Sequence, residues 1–376
     1  IATTHVGSMP RGEELTPLLV ARDHGDAYDA VEFDTKVQAA VKDAVAHQVA
    51  CGVDVVSDGE IGKIGYSTYM IERLTGFGGH VDRKSAMDLA EHPNLTKKLS
   101  SMMGSQDFVR ASCIAPIKLV NLQPLHDDIR RFKAALAEHG APSTQGFMNA
   151  ASPGLITAFQ VNKYYPSHEA YLADLADAMR EEYETIVAQG FYLQLDCPDL
   201  AMSRHTGYQD MTEAEFLKTI SANVEALNAA CANIPADKLR MHVCWGNYEG
   251  PHDFDIPLEK IMDIVLAAKP ATILFESANP RHEHEWVVWR DAEKAGKLDG
   301  KILAPGFIDS CSNYLETPEL IAQRIERFAD FVGKDRVIAS SDCGFGTFAG
   351  YGKIDPAVAW KKLADQTYKC VQNARK

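Results

Sequence analysis

Two stretches of the sequence place cysteine beside other metal-ligating residues at the end of an apolar run. MHVCWG holds His242 and Cys244, SSDCGFG holds Cys343, and a third run, TILFES, ends near Glu276. Because alternate residues of a strand point to the same side, His242 and Cys244 can face inward together. Two thiolates, an imidazole and an optional carboxylate suit a tetrahedral Zn²⁺ shell. The alternative is a packed core, since most free cysteines are small buried hydrophobes.

The elements that would position these residues alternate between short β-branched runs and longer segments of helical period. Eight strands are predicted, at residues 3–8, 53–58, 146–151, 191–196, 239–245, 272–277, 301–307 and 336–342. One of the helices between them begins after Ser167 and ends at Gly190, and another has Thr317 as its N-cap. Strands separated by helices predict an α/β fold, the (β/α)8 TIM barrel. An open doubly wound sheet is the rival, but no G-x-G-x-x-G motif or phosphate-binding loop follows the first strand.

One part of the chain departs from this alternation. Residues 75–145 predict an inserted hairpin with helical segments around it, beside the mouth of the barrel. No repeat, low-complexity segment or linker divides the sequence. We therefore expect a single zinc-binding (β/α)8 catalytic domain over residues 1–376.

Composition narrows the classes of protein to consider. The chain has 376 residues, 46% of them hydrophobic, and a net charge of -14. An acidic balance argues against binding to nucleic acid or to an anionic membrane, and no apolar stretch of about 18 residues predicts a membrane span. The first residues lack a secretory pattern, and the eight cysteines are scattered along the chain instead of paired at short spacings. These features predict a cytoplasmic protein.

Other strand ends are also polar, and a barrel gathers its active site from the C-terminal ends of its strands. The first strand leads into Gly7 and Ser8, the second into Glu60, the fourth into Asp196 and the seventh into Asp309. Glu60 and Asp196 could bind an ammonium group if they face the mouth. Helix capping or a salt bridge with a neighbouring Lys or Arg is the alternative for both. The three acidic residues, Glu60, Asp196 and Asp309, are the catalytic candidates.

Several motifs together resemble one known family. They are TTHVGSMPR, VVSDGE, FYLQLDCPDL, MHVCWGN, LFES, APGFIDS and SSDCGFGTF. Across its whole length the sequence resembles the catalytic C-terminal barrel of cobalamin-independent methionine synthase and its single-barrel relatives, which include epoxyalkane:coenzyme M transferase. The resemblance implies Zn²⁺ held by His242, Cys244 and Cys343, with Glu276 as a ligand that a substrate thiol displaces.

The resemblance also implies how the substrates are used. In the family, the backbone at Val6, Gly7 and Ser8, with Glu60 and Asp196, holds the amino-acid part of the thiol. The implied activity is zinc-dependent methyl or alkyl transfer to a thiol, most closely homocysteine S-methylation, in which a zinc-bound thiolate attacks a methyl donor. The expected partners are therefore a small-molecule thiol and a methyl or alkyl donor.

Three departures from the family concern the donor. The larger enzymes have two barrels, and this sequence resembles only the catalytic one. Cys311 stands where they carry a proton-donating histidine, and Cys197 stands where they carry an acidic residue. A methyl-corrinoid protein is thus a possible partner, and a thiol-binding subunit that acts only with such a protein is one alternative.

Epoxide opening by coenzyme M is the other alternative. The sulfonate of coenzyme M would need cationic residues, for which Arg11, Lys63, Arg73 and Lys118 are candidates by position. The pair Glu60 and Asp196 would repel a sulfonate and favours homocysteine. A further motif, RHEHEW, contains His282 and His284 and is interpreted as a solvated loop instead of a metal site.

Overall fold

The structure is a computed structural model that describes residues 1–104 and 108–367. Cys370 and residues 105–107, which open the predicted hairpin segment, lie outside the described residues. The strands are β1 (Ala2–Thr3), β2 (Val56–Ser57), β3 (Phe77–Gly78), β4 (Ser112–Cys113), β5 (Gly146–Ala151), β6 (Tyr192–Asp196), β7 (Leu239–Val243), β8 (Thr272–Phe275), β9 (Ile302–Ile308) and β10 (Ile338–Ser341). The helices are α1 (Thr16–His24), α2 (Ala30–Ala50), α3 (Met87–Glu91), α4 (Pro93–Met103), α5 (Gln123–Glu138), α6 (Pro153–Phe159), α7 (His168–Ala188), α8 (Glu213–Ala230), α9 (Leu258–Leu266), α10 (Trp286–Lys294), α11 (Pro318–Val332) and α12 (Pro356–Lys361).

Eight of the strands form one parallel sheet in the order β1-β10-β9-β8-β7-β6-β5-β2. The two end strands meet, because the N–H of Val55 donates to the carbonyl of Thr3 at 3.0 Å. The hydroxyl of Thr4 donates back to the carbonyl of Val55 at 2.9 Å. The sheet therefore curls onto itself, and the predicted (β/α)8 barrel is confirmed.

All eight predicted strands are present, but the first two contain only two residues each. At the ends of these two strands, side chains take the place of a neighbouring strand as hydrogen-bond partners of the backbone. The Gln48 side chain accepts from the N–H of Ser57 at 2.8 Å and donates to its carbonyl at 2.9 Å. After β1, the carbonyl of Val6 accepts from the side chain of Asn149 at 3.0 Å. These backbone groups are satisfied without a neighbouring strand, so the chain can leave the sheet early.

The helices cover the barrel with apolar faces. In α9 the buried residues Leu258, Ile261, Met262 and Val265 follow the spacing of one helical face. The predicted caps of two helices are confirmed. The hydroxyl of Ser167 accepts from the N–H of Ala170 at 3.1 Å, and that of Thr317 accepts from Leu320 at 3.4 Å. No helix in the described part of the chain is long and apolar enough to cross a membrane.

The insertion contains an antiparallel pair, β3 with β4, in which Phe77 lies opposite Cys113. The pair is not the predicted hairpin, because its strands are not adjacent in the sequence. Helices α3 and α4 lie between these two strands in the sequence. The helix that follows, α5, packs on α2 and belongs to the outer layer of the barrel. The insertion is thus shorter than the predicted 75–145, because its last third forms a regular barrel helix.

Candidate metal centre and active site

Three predicted ligands meet at one end of the barrel. His242 lies in β7, Cys244 follows this strand, and Cys343 follows β10. The two Sγ atoms are 3.2 Å apart, and Nε2 of His242 is 3.8 Å from Sγ of Cys343. All three side chains are buried, and their ligand atoms are close enough together to hold one metal ion.

Glu276, the fourth predicted ligand, lies beside this group. Its Oε1 is 4.0 Å from Sγ of Cys343 and accepts from the N–H of Trp245 at 2.8 Å. Its Oε2 accepts from Nδ2 of Asn279 at 2.7 Å and from Nη2 of Arg281 at 2.5 Å. The carboxylate therefore has one oxygen toward the thiols, while its other oxygen is held by a guanidinium.

The pKa shifts of the candidate ligands indicate which kind of metal ion would suit them. The hydrogen bond with Cys244 and burial raise the pKa of Cys343 well above its usual value. Burial lowers the pKa of His242 to about 4, so its imidazole is neutral and has a lone pair to donate. Two buried thiols release their protons only if positive charge replaces them, and a thiophilic divalent ion provides it. The donor set thus fits zinc.

Asp342 holds the loop that carries Glu276. Its two carboxylate oxygens accept from the backbone N–H groups of residues 277–279 and from Nδ2 of Asn279, each at 2.8 Å. Asp342 also directly precedes Cys343, so one buried side chain links two of the candidate ligands. The sequence placed Asp342 at a strand end, but nothing in its pattern indicated this role.

Glu60 and Asp196 line the same cavity as the three ligands. Asp196 accepts from Nδ2 of Asn149 at 3.2 Å and lies 3.8 Å from Nδ1 of His242. Burial and the charge of Glu60 raise the pKa of Asp196 to about 8. Glu60 is 3.5 Å from Nζ of Lys63, so the salt bridge that was its alternative is present. A cationic group placed between the two carboxylates would be stabilised by both.

The turn after β1 contributes backbone groups beside these carboxylates. The side chains of Asn149 and Gln194 both donate to the carbonyl of Val6. Gly7 has a φ of 142°, and a Cβ there would lie 2.4 Å from Oδ1 of Asn149, so only glycine fits. Ser8 faces the cavity. Sequence reasoning missed Asn149 and Gln194; their only signal was an amide inside an otherwise apolar predicted strand.

Asp309 is placed differently from the other acidic candidates. Its Oδ1 accepts from the N–H of Cys311 at 2.8 Å, and its own N–H donates to Glu316 at 2.8 Å. It is not among the residues that line the cavity. Asp309 does influence Asp342 through its charge. Burial is the main cause that raises the pKa of Asp342 to about 7, and the negative charge of Asp309 is the second cause. A catalytic role for Asp309 stays a prediction.

The cavity has a volume of about 1040 Å³. Its floor is formed by Val6, Ser8, Glu60, Asp196, His242, Cys244 and Cys343. Its walls come partly from the inserted segment and partly from the loops of the other strands. None of the four cationic candidates, Arg11, Lys63, Arg73 and Lys118, lines it. The sequence suggested these cations by their position alone, and in the structure their side chains do not line the cavity. Arg73, for example, pairs with Asp128 at 3.2 Å and with Glu182 at 3.0 Å.

Comparison with known proteins identifies the proteins that this chain resembles. Residues 1–96 match the family described as "Cobalamin-independent synthase, Catalytic domain". The chain is 24% identical to the methionine synthase of Thermococcus kodakarensis, over 97% of this chain and 91% of that protein. It is 24% identical to the methionine synthase of Saccharolobus solfataricus, over 98% and 96%. The resemblance to the cobalamin-independent methionine synthase family is confirmed.

A solved structure supports the fold of this family for the chain. The B12-independent methionine synthase of Shewanella sp. W3-18-1 superposes with a TM-score of 0.72 at 18% identity, covering 99% of this chain and 97% of that one. At this identity the likeness concerns the fold. It shows that the chain shares the fold of a B12-independent methionine synthase.

Behind the candidate metal centre lies a second polar cluster that the sequence analysis did not predict. His282 in RHEHEW is only 4% exposed, so the solvated-loop interpretation is wrong for this residue. Its Nε2 is 2.9 Å from Asp255, and its Nδ1 is 2.8 Å from Glu285. Asp255 also lies 3.0 Å from Nδ1 of His252. Arg281 connects this cluster to the site, since it pairs with Asp255 as well as with Glu276.

Part of the cluster has the composition of a metal site. The ligand atoms of His205, His252 and Asp255 lie within 4.8 Å of one another. However, a guanidinium N–H of Arg281 donates to Nδ1 of His252. A permanent positive charge against one of the ligand atoms opposes a metal cation. The cluster is therefore better described as the anchor of Arg281.

The His282 ion pairs predict a pH-dependent stability. Burial lowers the pKa of His282, but hydrogen bonds with Asp255 and Glu285 outweigh it and raise the value from 6.5 to about 9. The folded state thus favours the charged ring, and this contribution is present at low pH and lost as the pH rises through about 9. We expect His282→Gln to cost up to about 3 kcal/mol at about pH 6 and much less at about pH 10.

Urea unfolding of the wild type and the variant at both pH values measures this difference. His284→Gln is the matched control, because His284 is exposed in the same motif. A cost of His282→Gln that does not change with pH would contradict the ion-pair explanation.

Proposed function

We propose that the protein is a zinc-dependent homocysteine S-methyltransferase of the methionine synthase type, with residues 1–376 as one catalytic domain. The observation that carries this proposal is the buried group of His242, Cys244 and Cys343 at the floor of a cavity that Glu60 and Asp196 also line. A thiol-activating group and an ammonium-binding group are thus within one site. The similarity to archaeal methionine synthases over almost the whole chain supports the same activity.

His242, Cys244 and Cys343 would hold the zinc ion, and Glu276 would be a weak additional ligand. A bound Zn²⁺ supplies the positive charge that keeps a substrate thiol deprotonated at neutral pH. Arg281 gives Glu276 an alternative partner, because its guanidinium already holds Oε2 of this carboxylate. Glu276 can therefore give up its place to the substrate sulfur without becoming an unpaired buried charge.

The amino-acid part of homocysteine would bind on the opposite side of the floor. Its ammonium group would lie between Glu60 and Asp196, and the added positive charge would keep Asp196 ionised despite its raised pKa. The turn at Gly7 and Ser8 would contact the carboxylate. The Shewanella relative was solved in complex with selenomethionine, an amino acid with selenium at the sulfur position. That ligand supports an amino-acid thiol for this site.

In the transfer step, the substrate sulfur forms a bond to the methyl carbon while the bond from that carbon to the donor breaks. The thiol proton is released to solvent before this step, and the donor keeps the electron pair of the bond that breaks. Glu60 and Asp196 would hold the ammonium group of the thiol, and the metal ligands would fix the place of its sulfur, so the attack could be in line. The comparisons support neither coenzyme M nor a methyl-corrinoid partner.

The first experiment measures zinc stoichiometry and thiol binding together. We expect one zinc ion per chain in the wild type and almost none in Cys343→Ser. X-ray absorption at the zinc edge should show an additional sulfur ligand when homocysteine is added, and none when coenzyme M is added. Cys231→Ser is the matched control, since Cys231 is buried but outside the site.

Each result decides a part of the proposal. A protein without zinc, or a zinc shell that neither thiol changes, would overturn the mechanism. An additional sulfur ligand only with coenzyme M would replace homocysteine by coenzyme M and favour epoxide opening.

A further inference from the structure

We propose that Arg11 is a positioning residue, which fixes the separation between Glu60 and Cys343 and thereby sets the chain length of the thiol that the site accepts. This inference rests on the proposed function, in which Glu60 binds the ammonium group and Cys343 holds the metal ion. The sequence suggested Arg11 as a cation for a sulfonate, but its side chain does not line the cavity. Its contacts lie instead between two loops that lead to the floor.

The guanidinium of Arg11 joins these two loops. Its Nη2 donates to the carbonyl of Glu60 at 2.8 Å, in the loop after β2, and its Nη1 donates to the carbonyl of Gly346, in the loop after β10. Gly346 comes three residues after Cys343. One side chain thus connects the loop that carries the candidate for ammonium binding with the loop that carries a candidate metal ligand.

Glu60 needs support from its surroundings, because its backbone is in the left-handed region with a φ of 53°. A residue with a side chain keeps this conformation only where neighbouring groups hold it. The N–H of Glu60 donates to Oδ1 of Asp58 at 2.9 Å, and its carbonyl accepts from the N–H of Lys63 at 3.1 Å as well as from Arg11. In the conformation that these bonds hold, Glu60 lines the cavity.

The segment that leads to Arg11 also holds both loops by its backbone. The N–H of Met9 donates to the carbonyl of Gly59 at 2.9 Å, and the carbonyl of Ser8 accepts from the N–H of Phe345 at 2.8 Å. This segment therefore connects the two loops at successive points. Arg11 makes the last of these connections, and it is the one that reaches Glu60 itself.

The environment of Arg11 favours a positioning role over an ion pair. Its terminal nitrogens donate to backbone carbonyls, and its buried Nε has no hydrogen-bond partner among the described residues. Burial lowers the pKa of Arg11 to about 10, although the charges of Glu60 and Asp58 oppose this. The guanidinium is thus charged at neutral pH. Hydrogen bonds from a charged, planar fork are stronger and more directional than those from a neutral donor, so they hold the two carbonyls at a defined separation.

A fixed separation between the two loops selects thiols by their length. The sulfur of the substrate would lie at the metal ligands and its ammonium group at Glu60, so the carbon chain between them must match this distance. Two contacts at a fixed distance distinguish homologues, because a chain one methylene shorter or longer does not reach both without strain. Without Arg11 the loops could shift relative to each other, and the selection by length would weaken.

The test is isothermal titration calorimetry of the zinc-loaded protein with three amino-acid thiols. They are homocysteine, cysteine, which is one methylene shorter, and 2-amino-5-mercaptopentanoate, which is one methylene longer. The wild type should bind homocysteine about tenfold more tightly than either homologue. In Arg11→Met this preference should nearly disappear. Arg336→Met is the matched control, because Arg336 also donates to two backbone carbonyls but lies before β10, at the other end of the strand from Cys343.

A second variant, Arg11→Lys, separates positioning from folding. Lysine keeps the charge but has a single nitrogen, so it should restore only part of the preference. An unchanged preference in both variants, an equal loss of affinity for all three thiols, or two variants that do not fold would overturn the positioning role. The same conclusion follows if the wild type binds the three thiols equally. A wild type that binds none of them would overturn the proposed function itself, a result that depends on no variant.

Zinc content is measured after each titration, because a free thiol could remove the metal ion. These measurements involve no methyl transfer.

Discussion

Asp342→Ala is expected to destabilise the protein by about 4 kcal/mol or more, the largest effect on stability that we predict. The carboxylate of Asp342 accepts from four donors in residues 277–279, each at 2.8 Å. Alanine leaves these buried donors without an acceptor, at about 1–3 kcal/mol each, although water entering the space would recover part of this loss. Urea unfolding measures the difference in the free energy of unfolding.

A second measurement connects this loss to the metal centre. The same variant should bind zinc more weakly, because the loop it releases carries Glu276 and because Cys343 is the next residue. Asp355→Ala is the matched control: Asp355 also accepts from two backbone N–H groups, but it is exposed and caps α12. An exposed cap is expected to contribute roughly 1 kcal/mol. If Asp342→Ala lowers the free energy of unfolding by no more than this, the loop of residues 277–279 keeps its conformation without Asp342.

Asp196→Asn is expected to lower kcat/KM for homocysteine by about two orders of magnitude, through the loss of a buried charge-assisted contact to the ammonium group. The matched substrate is 4-mercaptobutyrate, which is homocysteine without its amino group. The wild type should prefer homocysteine strongly, and the variant should discriminate little between the two thiols. Steady-state kinetics with both thiols measures the difference, mostly as a rise in KM for homocysteine.

The control for this prediction is Asp177→Asn, since Asp177 lies on the surface and pairs with Arg180. It should leave both substrates unaffected. An equal loss of activity with both thiols in Asp196→Asn would show that Asp196 acts on the candidate metal ligand His242, which is 3.8 Å away, instead of on the ammonium group.

The strand and helix pattern made most of the barrel predictable. Period-2 and period-3.6 patterns depend on neighbouring residues, so the eight strands and caps such as Ser167 and Thr317 could be identified locally. The candidate ligands followed from the same pattern. Once the strands are assigned, the rule that barrel sites form at the C-terminal strand ends brings His242, Cys244 and Cys343 together.

The tertiary structure alone decided which side chains satisfy buried backbone groups. The side chain of Gln48 bonds the backbone N–H and carbonyl of Ser57, where a neighbouring strand would otherwise do so. The carboxylate of Asp342 accepts from the backbone of residues 277–279. Each contact joins residues of two different structural elements, so no local period records it. The same reason explains the error over His282, whose partners Asp255 and Glu285 turn an apparently solvated motif into a buried ion-pair cluster.

The walls of the cavity show this division most clearly. The sequence placed polar residues at the floor, because strand ends are fixed by the barrel. It assigned the cationic role to residues such as Arg73, whereas the structure brings Arg83 and Arg110 into the wall. An insertion has no repeating pattern and adopts its conformation by packing on the barrel. The sequence by itself therefore determined the barrel and the candidate metal ligands, and only the tertiary structure decided which side chains line the walls of the cavity.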